Sequence, residues 1–208
     1  MTDIEQARQE MSDNEFRQEY YADFNVYEGQ IWKFNHAECI QDLSEFDTSN
    51  MEVFAGLDIG FKDATAMVII AWDGSKYYIV DEYYATERTT ALHALHIREL
   101  LSKWDCEMIF IDSAAQQTRY DLAVDHDIST NNAKKSLLDG ISYVSAIIEH
   151  DNLIVAQHCT ETLRSLDQYQ WDPNPNLITE KPKNNDARHI ADSIRYAIYS
   201  YETSGYTF

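Results

Sequence analysis

Two apolar runs in this chain each stop on an aspartate. Val53-Phe54-Ala55-Gly56-Leu57 ends on Asp58, ahead of Ile59-Gly60, and Met108-Ile109-Phe110-Ile111 ends on Asp112-Ser113. A third acid, Asp192, follows His189 by three residues in a helix-like segment near the C-terminus. Two carboxylates ending neighbouring buried strands, joined by one from a later helix, form a cage for divalent cations. Three clustered carboxylates cannot all stay ionised without cations, and oxygen ligands suit Mg²⁺ or Mn²⁺. Two such ions about 3.5–4 Å apart activate an attacking water and stabilise a leaving 3′ oxygen, which is phosphodiester-cutting chemistry. In that arrangement Asp58 bridges the ions, and Asp112 and Asp192 each hold one. His189 ligates, orients water or shuttles a proton. Asp63 and Asp186 are auxiliary candidates. The oxygens of Asp58, Asp112 and Asp192 are expected to converge within a few ångströms.

Each residue also has a plainer role. An acid before glycine at a strand end is often only a turn former. Asp112 has the placement of a helix cap. His189 and Asp192 share a helix face as an ordinary surface pair would. Gly56 and Gly60 shift the balance for Asp58, because glycine lets backbone or ligand come close. So does the apolar run around it, where an unpaired carboxylate is costly.

The elements that must position these residues are legible from about residue 51. Strands are predicted over residues 53–57, 66–72 and 77–83, the last two joined through Asp73-Gly74, a two-residue hairpin signal. A helix over residues 89–103 leads to a strand over 108–111, then a helix over 116–124 and a short strand around Ile128. Asn131 or Asn132 is expected to cap a long helix whose stripe is Leu137, Leu138, Ile141, Val144 and Ile148. A strand at 153–155 and a helix over 160–166 follow. Residues 169–171 and 177–179 flank a predicted β-hairpin, and the last helix runs from about 186 to 201. Three antiparallel strands, then a helix and a fourth strand beside the first, is the order of a ribonuclease H-like α/β fold. We expect a mixed five-stranded sheet with helices on both faces. Open sheets of this class place sites beyond the carboxyl ends of central strands. Residues 1–50 mix acids and aromatics without a clean period and read as an extension, leaving 51–208 as the domain.

Composition narrows the class. The chain has 208 residues and is 44% hydrophobic and 12% aromatic, enough for one good core. No apolar stretch long enough to span a membrane occurs, and the N-terminus lacks signal-peptide regions. Cys39, Cys106 and Cys159 are scattered, which suits a reducing cytosol and no zinc site. The net charge of −20 argues against a simple nucleic-acid binder. The acidity is uneven, however: residues 1–50 hold 12 acids and 3 bases, whereas residues 131–200 hold 9 acids and 7 bases.

The motifs resemble the nuclease domain of the large terminase subunit of tailed bacteriophages, over most of the chain. Leu57-Asp58-Ile59-Gly60 with Asp63-Ala64-Thr65-Ala66 is similar to its first acidic motif, and Phe110-Ile111-Asp112-Ser113 to its second. Lys134-Lys135-Ser136 with Gly140-Ile141 resembles the start of its helix after the fifth strand. Tyr169-Gln170-Trp171, Lys181-Pro182 and His189-Ile190-Ala191-Asp192-Ser193-Ile194-Arg195-Tyr196 resemble its C-terminal signature. Glu19-Tyr20-Tyr21-Ala22-Asp23-Phe24 and Gly29-Gln30-Ile31-Trp32 are similar to the segment joining motor to nuclease. The resemblance implies an endonuclease using two Mg²⁺ or Mn²⁺ ions to cut concatemeric viral double-stranded DNA. It implies Lys134, Lys181 and Lys183 as DNA contacts. It also implies a packaging ATPase domain, a small terminase subunit and a portal protein as partners, and work in the host cytoplasm rather than in the mature virion. No ATP-binding G-x-x-x-x-G-K-[ST] occurs here.

Other readings stay open at this point. A Holliday-junction resolvase or ribonuclease H-type hydrolase shares the strand order. Sugar kinases and actin-like ATPases also open on Asp-x-Gly before a hairpin, but they need glycine-rich phosphate loops and the chain has six glycines. A non-enzymatic assembly module of a packaging complex is the alternative of another class.

Overall fold

The structure, a computed structural model, describes residues 29–60, 63–173 and 181–205. Its frame is set by three largely apolar runs that pair antiparallel. β2 (Glu52–Asp58) pairs with β3 (Thr65–Trp72), which pairs with β4 (Tyr77–Ala85). Asp73 closes the β3–β4 hairpin by accepting the Ser75 and Lys76 amides at 2.8 Å, with Gly74 at φ +93°. α2 (Thr90–Trp104) then crosses to β5 (Met108–Ile111), which pairs parallel with β2. α2 starts where Thr89 accepts the Leu92 amide and stops where Asp105 turns left-handed.

Seven strands form the sheet where five were expected, in the order β1-β7-β4-β3-β2-β5-β6. Two of the seven are two-residue edges, β1 (Ile40–Gln41) and β6 (Asn131–Asn132), which pair parallel with β7 (Leu153–Ala156) and β5. α1 (His36–Cys39) precedes β1, and α3 (Gln116–His126) precedes β6. The short strand expected near Ile128 thus lies at Asn131–Asn132, and neither asparagine caps a helix. They are held in the sheet beside Phe110 and Ile111, and α4 (Leu137–Glu149) begins only after Ser136. Ladder hydrogen bonds outcompeted the local capping preference of Asn, a tertiary effect that spacing does not carry.

Alternation along β2 assigns the two faces. Phe54, Gly56 and Asp58 share one face, and it is covered by α6 (Ala187–Thr203): Phe54 stacks on Tyr201 at 4.2 Å. Ala66 lies opposite Asp58 and so shares that face, which turns Thr65 to the other. There Thr65 meets His93 of α2. Helices therefore cover both faces. α4 and α5 (Thr160–Gln168) pack against α6, and α3 packs against α2. Among the described residues no helix is long and apolar enough to cross a membrane.

The stretch before residue 50 contributes to the same core from Ile31 onward. Trp32 is fully buried, donates Nε1 to the Ile141 carbonyl at 3.3 Å and packs on Tyr169 at 4.7 Å. Gln30 bridges Gln170, and Trp171 bridges Pro182, both antiparallel. The described partner of residues 170–172 is therefore residues 181–183; the expected second flank, 177–179, lies outside the described residues.

His93 links this frame to the loop after β2. Its Nε2 lies 3.2 Å from the Thr65 hydroxyl, which donates to the Gly60 carbonyl at 3.0 Å, and its Nδ1 lies 2.9 Å from the Tyr83 hydroxyl. Burial, helped by Arg88, holds the imidazole below its ordinary pKa. The folded state therefore binds fewer protons here than the unfolded chain. The stability this group contributes is complete above about pH 6.5, the ordinary value for His, and falls as the pH drops towards the lowered folded value. Urea melts at pH 7.5, 6.5 and 5.5 check this: wild type is expected to lose stability on acidification, and His93→Gln to lose less across the same interval.

Candidate active site

Asp58 is the last residue of β2, and Asp112 directly follows the last residue of β5. These strands are parallel with Leu57 beside Ile111, so the two aspartates emerge next to each other at the carboxyl ends. α6 brings the third. It rests directly on β2, because a Cβ on Gly56 would stand 1.8 Å from the Ser193 carbonyl oxygen. Ser193 Oγ donates to the Ala66 carbonyl at 2.9 Å, pinning the helix to β3 opposite Asp58. With α6 fixed there, His189 and Asp192 on one helix face turn towards the strand ends.

The electrostatics follow from that packing. His189 Nδ1 lies 2.8 Å from Asp58 Oδ2, and this hydrogen bond raises the imidazole pKa against the opposing effect of burial. Burial pushes the Asp192 carboxyl up, Arg195 pulls it down and the Asp58 charge adds to the rise. Arg195 Nη2 donates to Asp192 Oδ1 at 2.9 Å, and Arg188 Nε lies 3.9 Å from Oδ2. Asp112 is partly buried, which alone would raise it. The Ala114 amide at 2.8 Å, the Lys135 ammonium paired with it and the nearby Arg195 outweigh that and hold it low. The buried Tyr196 hydroxyl is raised first by desolvation and then by Asp192, Asp58 and Asp112 together. One phenol thus senses all three carboxylates.

The expected convergence is only partial. Among the described residues, no three His, Cys, Asp or Glu side chains stand close enough together to hold a metal ion. Each aspartate is instead engaged by a basic neighbour: His189 on Asp58, Lys135 on Asp112 and Arg195 on Asp192. Repelling carboxylates turn to the nearest positive charge. The three carboxylates on adjacent elements are hard-oxygen donors, a type that suits Mg²⁺ or Mn²⁺. His189 links α6 to the end of β2 through its contact with Asp58.

The remaining candidates lie around this centre. Asp63 is exposed in the turn before β3 and its charge reaches His189. Asp186 occupies the cap position of α6 without a side-chain cap bond, and its carbonyl accepts the His189 amide at 3.3 Å. Lys134 is exposed, with its amide on Ser200 Oγ at 2.8 Å, and Lys181 is exposed on the segment paired with Asp172. Lys183 is half-buried and donates Nζ to Gln170 Oε1 at 3.0 Å. Sequence reasoning assigned no role to Lys135, Arg188, Arg195 or Tyr196. Helical spacing from Asp192 (−4, +3, +4) carried a signal for the last three; nothing local carried one for Lys135.

Comparison with known proteins gives the family. The family model described as Terminase RNaseH-like domain matches residues 55–200, a span holding Asp58, Asp112, His189 and Asp192. The large terminase subunit of Escherichia phage T5 is 40% identical over 211 residues, covering 96% of this chain and 48% of that protein. The chain thus spans about half the length of the curated relative it matches. The large terminase of a thermophilic bacteriophage superimposes with a TM-score of 0.82 at 18% identity, covering 98% of this chain and 53% of that one. The nuclease domain of the bacteriophage SPP1 large terminase, solved with bound Mn, superimposes with a TM-score of 0.62 at 19% identity over 86% of this chain and 99% of that one. With a family model over most of its length and a relative this similar, the chain belongs to the terminase RNaseH-like domain family, that of large-terminase nuclease domains.

Proposed function

We propose that this chain is the metal-dependent endonuclease of a viral DNA-packaging terminase, cutting concatemeric double-stranded DNA by phosphodiester hydrolysis. The observation that carries the reading is the placement of Asp58 and Asp112 at adjacent parallel strand ends, with α6, the helix that carries His189 and Asp192, tied to Asp58 through His189. Asp58, Asp112 and Asp192 would hold two ions, Mg²⁺ or Mn²⁺. When bound, such ions supply Lewis-acid stabilisation of the attacking and leaving oxygens of an in-line displacement.

The protein's own groups do the positioning. His189 orients the Asp58 carboxylate through its 2.8 Å contact and offers a proton-exchanging group beside it. Lys135 and Lys134 bring positive charge to the Asp112 side, and Lys181 and Lys183 bring it beside α6, where a phosphate backbone would run. Asp63 and Asp186 remain auxiliary acids at the rim. On this reading the chain works in the host cytoplasm beside an ATPase domain, a small terminase subunit and a portal protein. Tethering to a motor would offset its acidic surface by raising the local DNA concentration.

The test is direct. Supercoiled plasmid incubated with the chain is expected to be nicked and linearised with Mg²⁺ or Mn²⁺, and to stay intact with EDTA. Plasmid left whole under every cation condition by a folded protein would sink the reading.

A further inference from the structure

We propose that Arg195 is a positioning residue of the cleavage site: its buried guanidinium ties Asp192 to the loop that carries Lys135, and so fixes two of the three carboxylates relative to each other. The proposal rests on the nuclease reading. Arg195 is 4% exposed, so it cannot meet DNA. Nη2 donates to Asp192 Oδ1 at 2.9 Å, while Nη1 donates to the Ser136 carbonyl at 3.3 Å. Lys135, the residue before Ser136, is paired with Asp112. One planar group therefore connects α6, the loop before α4 and, through Lys135, the end of β5.

The surroundings are shaped for that group. Its Cζ lies 4.7 Å from the centroid of the Tyr196 ring. α4 makes room for its stem: a Cβ on Gly140 would stand 2.7 and 2.8 Å from Arg195 Cγ and Cδ. Arg195 Nε, Arg188 Nε and the Tyr169 hydroxyl are buried without a hydrogen-bond partner among the described residues. A buried charge left partly unsatisfied is a poor device for stability alone. A rigid fork that sets an angle between two elements is what Arg offers and the point charge of Lys does not.

The experiment uses the full chain with Arg195→Lys, which keeps the charge and loses the fork, and Gly140→Ala, which presses on the stem and touches no ligand. Mn²⁺ binding is read by calorimetry, folding by metal-free melting, and plasmid cleavage as separate kcat and KM. Folded variants are expected to bind Mn²⁺ at least about tenfold more weakly, in line with other groups that orient metal ligands, and to lose kcat with KM for DNA unchanged. Folded variants with wild-type Mn²⁺ affinity and kcat would overturn the proposal. So would loss of folding in both, which would assign Arg195 to stability. Wild type that neither binds Mn²⁺ nor cuts would instead bring down the nuclease reading itself.

Discussion

Asp192→Asn is expected to lower plasmid cleavage to below about one-thousandth of wild type while the protein stays folded. The substitution removes one negative charge from a site proposed to hold two dications. Charge stabilisation by bound metal is worth several kcal/mol, and about 4 kcal/mol corresponds to roughly a thousandfold in rate. Folding should survive because Asn keeps an oxygen to accept from Arg195 Nη2. Some loss remains, since Arg195 keeps its charge and loses its counter-ion; about 1–3 kcal/mol is the expected range for a buried charged hydrogen bond weakened in this way. A gel assay and a thermal melt on the same preparation check both halves. Wild-type cleavage by Asp192→Asn would remove that residue from the site.

Gly56→Ala is expected to have the second large effect, on fold and activity together. The added methyl would stand 1.8 Å from the Ser193 carbonyl oxygen, 2.8 Å from its carbonyl carbon and 3.0 Å from the Ala197 amide nitrogen. All three are helix backbone, so no side chain can swing aside, and α6 must lift from β2. Overpacking a core by a methyl costs about 1–3 kcal/mol, occasionally more, and this case sits at the upper end because a whole helix has to move. The helix that moves carries His189 and Asp192, so the variant is expected to melt lower and to lose cleavage beyond its unfolded fraction. A wild-type melting temperature would contradict the close strand–helix contact on which the site depends.

Much of the architecture was legible because its signals are local and strong. β3 is a continuous, largely apolar run that buries seven of its eight residues, Asp73-Gly74 is a hairpin turn, and the stripe Ile190, Ile194, Ala197, Ile198 repeats at helical spacing. The misread pieces were those whose local preference lost to a distant partner. Asn131 and Asn132 favour a cap by chemistry but were captured by β5. Gln30 to Leu43 shows no period because it threads between existing elements, Trp32 against Ile141 and Tyr169, rather than forming a face of its own.

The sequence by itself determined which acids end buried strands, that a later helix carries a His and an Asp on one face, and that glycine at position 56 answers to a close approach. These follow from periodicity and residue type, which each segment carries within itself. Only the tertiary structure decided which positive groups Asp58 and Asp112 face, whereas Arg195 on Asp192 is a pair within one helix. Lys135 on Asp112 spans 23 positions and His189 on Asp58 spans 131. No local pattern encodes such pairs, because burial and mutual repulsion among the aspartates act only after the sheet and α6 have met.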